Sequence, residues 1–243
     1  MHGCLIFYLL PVALQHKEKI EMAIKALIPV RSGSLRVKNK NIRPFAGETL
    51  LEIKIKQLKR IQELDGIVVN SNSDEMLEIA SHLGAETVKR DEYFATSEIS
   101  PNELYINMAQ NFPADTVLYS NCTNPCVKDE TISEMIGIWN NLSGEYDSVV
   151  SVSPLKEFLW VDGKACNYDA KHKPRSQDLP DNFVLLNHAI HILPRQMMLE
   201  NADIIGDRPL LHPIEQQEAI DVDTPLDFDF AEFVYKRECK TTN

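Results

Sequence analysis

Short apolar runs alternate with longer segments of helical period from residue 26 onward, and few architectures accommodate that order. Ala26-Leu27-Ile28-Pro29-Val30 reads as a buried strand, and Gly66-Ile67-Val68-Val69 as a second. Between them Thr49-Leu50-Leu51 opens a helix in which Leu51, Ile55, Leu58 and Ile61 or Gln62 approximate the helical period. A second helix starts at Ser73-Asp74-Glu75, carries Met76, Leu77, Ile79, Ala80 and Leu83, and stops at Gly84. A short third strand precedes Arg90, and Pro101 starts a helix through about Asn111 with Leu104, Met108 and Ala109 inward. Residues 115–119 and 147–152 read as further strands, the latter broken by Ser153-Pro154. This order predicts an α/β fold: a mostly parallel sheet flanked by helices, with its ligand at the carboxyl ends of the strands.

The first strand runs into Arg31-Ser32-Gly33-Ser34 and then a loop holding Arg36, Lys38 and Lys40. Small residues let the backbone approach a ligand, and successive N–H groups there can form an anion-binding nest. Arginine and lysine beside such a nest suit phosphate oxygens. The bland alternative is a basic surface turn, but the chain carries a formal charge of −11, so a local cationic cluster stands out.

That acidity, with a pI near 5.1, argues against a nucleic-acid-coating protein. At 243 residues the chain is long enough for one large α/β domain with a small appendage. Five scattered cysteines (Cys4, Cys122, Cys126, Cys166, Cys239) suit reduced thiols in a cytoplasm rather than a disulfide framework. Cys122 and Cys126 lack the further pair a zinc site needs and read as small apolar residues. The apolar stretch 4–14 is too short to span a bilayer and has no preceding positive charge, so no membrane association is expected. Residues 1–21 are read as an upstream extension with Met22 as the functional start, against a weak signal peptide or tether; residues 22–243 form the domain.

Near the other end, Glu218-Ala219-Ile220-Asp221-Val222-Asp223-Thr224-Pro225 reads as a short strand ending at a helix. A two-residue period puts Asp221 and Asp223 on one side, a pair of oxygen ligands for a hard cation such as Mg²⁺. Thr224, Pro225 and Asp227 read as N-cap, first helical residue and third-position acid. The competing reading is that Asp223 merely caps that helix. The helix carries Leu226, Phe228, Phe230, Ala231, Phe233 and Val234, and a frayed tail is expected from Lys240. His188 and His191, three apart on a strand, are expected to face opposite sides and so not to share a metal. His191 is read either as a substrate hydrogen-bonding group or as a partly exposed structural histidine.

Taken together these blocks resemble the CMP-sialic acid synthetases (acylneuraminate cytidylyltransferases) from about Lys25 to Lys236. The match rests on Ile28, Pro29, Arg31, Gly33, Ser34, Lys40 and Asn41, on the 68–90 block, on Thr123 and Pro125, and on the intact Asp221-Val222-Asp223-Thr224-Pro225. Departures are Leu35 where a basic residue is usual, Asn72 for a carboxylate, Asn121 for glutamine, Val127 for arginine, and His188-Ala189-Ile190-His191 for Gly-Ala-Ile-Tyr. The resemblance implies a Rossmann-like nucleotide-diphospho-sugar transferase fold and a Mg²⁺-dependent transfer of CMP from CTP to a sialic-acid-like sugar acid, releasing pyrophosphate. Such an enzyme serves nucleotide-sugar and surface-polysaccharide synthesis. The alternative is a homologue that binds nucleotide or sugar but has lost catalysis.

Carried over position by position, Arg31, Ser34, Arg36, Lys40, Asn41 and Arg90 are expected at the nucleotide. Asn121, Thr123, Arg175, Asn187 and His191 are expected at the sugar. Arg31, Lys40, Asp221 and Asp223 are the expected catalytic group, the last two as metal ligands. Read alone, Arg90 is equally a surface arginine after a strand, and Arg175 equally a partner for Asp178. The turn-rich segment 154–180, with Trp160, matches the family's dimer contact, so a homodimer is expected.

Overall fold

The computed structural model describes residues 23–34 and 36–239; the expectations about residues 1–21, Met22, Leu35 and the tail from Lys240 lie outside the described residues. In chain order, β1 (Ile24–Pro29) leads through the basic loop to a small hairpin, β2 (Pro44–Phe45) and β3 (Glu48–Thr49), and to α1 (Leu50–Leu58). Then come β4 (Gly66–Ser71), α2 (Asp74–His82), β5 (Glu86–Lys89), α3 (Pro101–Gln110), β6 (Thr116–Ser120), α4 (Asp129–Asn140) and β7 (Ser148–Pro154). A second small hairpin, β8 (Trp160–Val161) and β9 (Lys164–Ala165), precedes β10 (Val184–Pro194), α5 (Arg195–Asn201), β11 (Pro209–Pro213) and α6 (Pro225–Val234).

Seven strands form one sheet in the order β11-β7-β10-β6-β1-β4-β5. β10 runs antiparallel to both of its neighbours, while the other pairings are parallel. The expected architecture is therefore present. After β1 the chain adds β4 and β5 outward, then returns to lay β6 on the other side of β1. Alternation along β1 divides the core. Ala26 and Ile28 face a cluster that includes Leu51, Ile55, Met76, Ile132 and Phe228, whereas Leu27 faces Met108, Val117, Tyr119 and Met198. Helices α1, α2, α4 and α6 thus cover one face, and α3 and α5 the other.

Helix starts follow the sequence closely because side chains satisfy their first amides. Thr49 accepts from the Glu52 amide, Ser73 from Met76, and Ser100 with Glu103 forms a full capping box. Thr224 and Asp227 form another at α6, so Thr224, and not Asp223, caps that helix.

Three expectations are corrected. The helical spacing read through Ile61 overshoots: α1 ends at Leu58, and Ile61 reaches the core from the following turn. Pro154 does not break β7, because its β11 neighbour pairs only as far as Val152 and the missing N–H there costs no ladder bond. Residues 218–223 form a turn and an extended segment without a strand ladder; Val222 N–H donates to the Thr123 carbonyl at 2.9 Å. Of the apolar residues on α6, Phe228, Ala231 and Val234 are buried and Leu226, Phe230 and Phe233 exposed.

The inner face of α6 is fastened to the first hairpin. Phe45 is fully buried, edge-on to Phe228 with centroids 5.3 Å apart and 5.6 Å from Tyr235. Glu232 accepts from the Ala46 amide at 2.7 Å. Phe45→Ala removes this anchor and is expected to cost about 3–5 kcal/mol of unfolding free energy in urea titrations; a loss under about 1 kcal/mol would show that α6 is held elsewhere.

Candidate active site

At the carboxyl ends of β1 and β6, where the order of strand addition reverses, the surface opens into a cleft of about 400 Å³. Pro29, Val30, Arg31, Ser34, Arg36, Lys40, Asn41, Arg90, Leu104, Tyr119, Asn121, Thr123, Asp221 and Asp223 line it. Residues separated by almost the whole chain meet there. Arg36 Nη2 lies 2.9 Å and Lys40 Nζ 3.3 Å from Asp223 Oδ1, and Lys40 Nζ also donates to the Val222 carbonyl at 2.6 Å. The basic loop forms one wall and the acidic segment the other.

Each wall has its own scaffold. Arg31 donates to the Ala95 carbonyl at 2.6 Å, and the Asn41 amide donates to the Arg31 carbonyl at 3.3 Å. Asn72 accepts from the Ser32 amide at 3.0 Å and donates to the Ser32 hydroxyl and to Glu92. The amide that replaces a carboxylate here therefore acts as a bracket for the loop. Arg90 is buried; its guanidinium donates to Asn70 Oδ1 at 2.6 Å, the Asn70 carbonyl at 2.7 Å and the Val30 carbonyl at 3.1 Å. It joins the ends of β1 and β4 while one side reaches the cleft. Burial pulls its pKa down to about 10, so it stays charged at neutral pH.

The acidic pair is asymmetric. Burial raises the Asp221 pKa above the ordinary carboxylate value, opposed by the Thr123 hydroxyl; the charge on Asp223 adds to the rise, and Lys40 and His188 lower it. Asp221 Oδ1 is buried without a hydrogen-bond partner, while Asp223 Oδ1 meets two cations. Among the described residues no cluster of three or more His, Cys, Asp or Glu side chains is arranged for a metal. Two carboxylates, one with an orphaned oxygen, beside cations suited to phosphate nevertheless fit Mg²⁺, which takes one or two carboxylates and completes its shell with water and phosphate oxygens.

On the β10 side the structure departs from expectation. The register with β7 slips between Leu186 and His191, and His188 adopts a left-handed φ of 52°. This bulge cancels the simple two-residue alternation, so the His188 and His191 rings stack, 5.4 Å apart and 21° from parallel, instead of facing opposite sides. His191 is fully buried and edge-on to Tyr119, and is not the partly exposed histidine the sequence suggested. Asn187 braces the bulge: its oxygen accepts from Ser151 at 2.6 Å and from the Ala189 amide, and its amide donates to Ser153 at 3.1 Å. Arg175 is exposed and precedes a short 3-10 turn.

Of the expected sugar contacts, Asn121 and Thr123 line the cleft of the single chain, while Arg175, Asn187 and His191 do not. Sequence reading missed Tyr119 and Leu104. The alternation Tyr119, Asn121, Thr123 could have found the first; nothing in the sequence singled out Leu104 on α3.

The comparisons with known proteins agree with this geometry. A family model described as cytidylyltransferase matches residues 25–171. The chain is similar to the CMP-N,N'-diacetyllegionaminic acid synthase of Legionella pneumophila, 30% identical over 87% of this chain and 95% of that protein. It is 25% identical to the pseudaminic acid cytidylyltransferase of Campylobacter jejuni, over 86% of this chain and 95% of that one. The same identity relates it to the N-acylneuraminate cytidylyltransferase of Escherichia coli, over 86% of this chain and 51% of the longer relative. Solved structures with the same fold include 4-diphosphocytidyl-2C-methyl-D-erythritol synthase from Anaerococcus prevotii, with TM-score 0.66 and 14% identity over 88% of this chain and 99% of that one. Another is CMP:2-keto-3-deoxy-manno-octonic acid synthetase complexed with CTP, with TM-score 0.62 and 13% identity over 89% and 99%.

The buried imidazole has a measurable signature. Burial pushes the His191 pKa down from 6.5 to about 3, with His188 adding to the shift. Between those values the unfolded chain binds a proton that the folded chain refuses, so stability falls as pH falls through this window. His191→Phe is expected to flatten that loss, read as urea midpoints at about pH 7 and about pH 4; equal acid sensitivity in both proteins would assign the loss to other groups.

Proposed function

Because the chain belongs to the cytidylyltransferase family, we propose that it transfers CMP from CTP to the anomeric hydroxyl of a nonulosonic or related 2-keto-3-deoxy sugar acid, releasing pyrophosphate. The observation that carries this reading is the opposition of Arg31, Arg36 and Lys40 to Asp221 and Asp223 across one cleft at the reversal of strand order. The sugar class follows from the relatives' own names, and the shared cleft makes room for it beside Asn121 and Thr123.

In this reaction the anomeric oxygen forms a bond to the α-phosphorus while the bond to the bridging oxygen of the leaving pyrophosphate breaks. Catalysis of such a displacement rests on alignment and on neutralising the charge that builds on the leaving group. Arg31, Arg36, Lys40 and the Ser34 hydroxyl supply that neutralisation along the basic wall. Asn41 and Arg90 hold the nucleoside end, with Arg90 kept rigid by its three bonds to β1 and β4. Asp221 and Asp223 would hold Mg²⁺, which when bound neutralises phosphate oxygens and acidifies a coordinated hydroxyl. Tyr119 and Leu104 add apolar surface to the cleft lining.

The same reading makes the protein a homodimer. Trp160, Val161, Leu185 and Leu186 are each exposed, on the small hairpin and on the overhanging start of β10. Exposed apolar side chains of this size are what a partner would cover. Cys122 and Cys166 are thiols outside any disulfide, in keeping with a cytoplasmic location, and no described helix is long and apolar enough to cross a membrane. Light scattering at micromolar concentration should return twice the chain mass; monomer mass would remove the dimer reading.

The decisive measurement is pyrophosphate release with CTP, Mg²⁺ and a panel of 2-keto-3-deoxy sugar acids. Asp223→Asn is expected to lose nearly all metal-dependent release at unchanged Tm. Thr224 provides the helix cap, so the substitution removes charge from the cleft without unfastening α6. Retained activity with the same Mg²⁺ dependence would sink the metal assignment.

A further inference from the structure

Lys54 projects from α1 into the core and has no exposed surface. Its ammonium donates to Gln57 Oε1 at 2.8 Å and to the Asn124 carbonyl at 3.1 Å. Both acceptors are neutral. The nearest carboxylate in this network, Asp129, is reached through Gln57 Nε2 at 3.1 Å and is itself held by Arg60 at 2.6 and 2.9 Å. A methionine would fill a similar volume without desolvating a charge, a gain that offsets leaving the Gln57 oxygen and the Asn124 carbonyl without this donor. Stability alone therefore does not explain a lysine here.

What the lysine grips is the turn between β6 and α4. Gln57, one helical turn along, donates to the Val127 carbonyl, so α1 holds this turn at two points. The turn carries Asn121 and Thr123 into the cleft, and it also sets the acidic segment. Asn124 Nδ2 donates to the Ile220 carbonyl at 3.2 Å, and the Thr123 carbonyl accepts from the Val222 amide at 2.9 Å. Asp221 and Asp223 flank that amide.

We propose that Lys54 is a positioning residue for the reaction: from outside the cleft its ammonium fixes the 121–127 turn, and through it the register of Asp221 and Asp223 against the sugar-side contacts. This rests on the functional reading above only for its consequence in turnover; the clamp itself is a property of the fold. Titration supports the assignment. Burial lowers the Lys54 pKa from 10.5 to about 8, with Arg60 adding to the fall, while Cys122, Cys126 and Asp129 oppose it. Neutral lysine makes weaker hydrogen bonds than the ammonium, so the grip loosens above about pH 8. Folding stability moves the other way. Between pH 8 and 10.5 the unfolded chain holds the proton that the folded chain releases, so stability rises with pH in that window.

Lys54→Met in the full chain tests this. The variant is expected to have unchanged or higher Tm at neutral pH, with a Tm advantage that shrinks as pH rises past about 8. Amide hydrogen exchange over residues 121–127 and 220–223 should quicken about tenfold. For the sugar acid, kcat/KM should fall about tenfold or more while KM for CTP stays within about threefold. The wild-type chain supplies a second readout, a fall in kcat/KM above about pH 8 that the variant lacks. Unaltered exchange overturns the clamp whatever turnover shows. Faster exchange with wild-type sugar kinetics overturns the positioning role. A wild-type chain that transfers CMP to no sugar acid defeats the functional reading, and the clamp is then decided by exchange alone.

Discussion

The guanidinium of Arg90 ties the carboxyl ends of β1 and β4 together, beside the β1–β6 junction where the order of strand addition reverses. Where a ladder ends, the last carbonyls keep accepting capacity that no neighbouring strand fills. Buried carbonyls of that kind must find donors elsewhere. A side chain with five donors and a permanent charge meets the need at Val30 and Asn70, and it fixes the mouth of the cleft in doing so. The basic loop then leaves β1 in a defined direction, and the turn after β6 faces it.

Polar groups near that mouth are also buried in the core. Lys54, Gln57, Asn70, Asn124, His191 and Glu218 are all buried, and most are bonded to backbone of loops that have no ladder of their own. Glu218, for example, accepts from the Lys128 amide and from Thr131, which seats the approach to the acidic segment on α4. Apolar packing fills the sheet faces; directed bonds shape the irregular segments, where packing alone would leave several arrangements of similar energy.

How much of this could be read from sequence depended on the range of the interaction. The strand–helix alternation, the helix starts at Thr49, Ser73 and Pro101, the cap at Thr224, and the placing of Asp221 and Asp223 on one side are local, and each appears where its residues indicated. Arg31 and Lys40 share a cleft wall because they belong to one motif whose spacing reflects a short loop. The β10 bulge was not, because it depends on Ser151 and Ser153 of a neighbouring strand holding Asn187, and no periodicity within β10 records that. Lys54 was equally hidden: a lysine on an otherwise amphipathic helix looks like solvent-facing charge until the turn it grips is in view. The strand assigned to 218–223 failed for the complementary reason, since alternation describes extended backbone and does not guarantee a partner strand.

The two walls of the cleft meet across sequence separations of 182 to 187 residues, through Lys40 with Val222 and Arg36 with Asp223. Phe45 and Ala46 are fastened to α6 over similar distances. The basic loop leaves the ribosome well before the carboxylates that oppose it, so until residue 221 follows the nascent protein carries half a site, a cationic cradle with nothing across from it. The closing contact joins residues so far apart in sequence that its loop-closure entropy is met only once the intervening sheet brings the two walls together. A chain cut ahead of residue 221 has the phosphate-seeking loop but no acidic wall, so the two halves of the site are acquired at separate times.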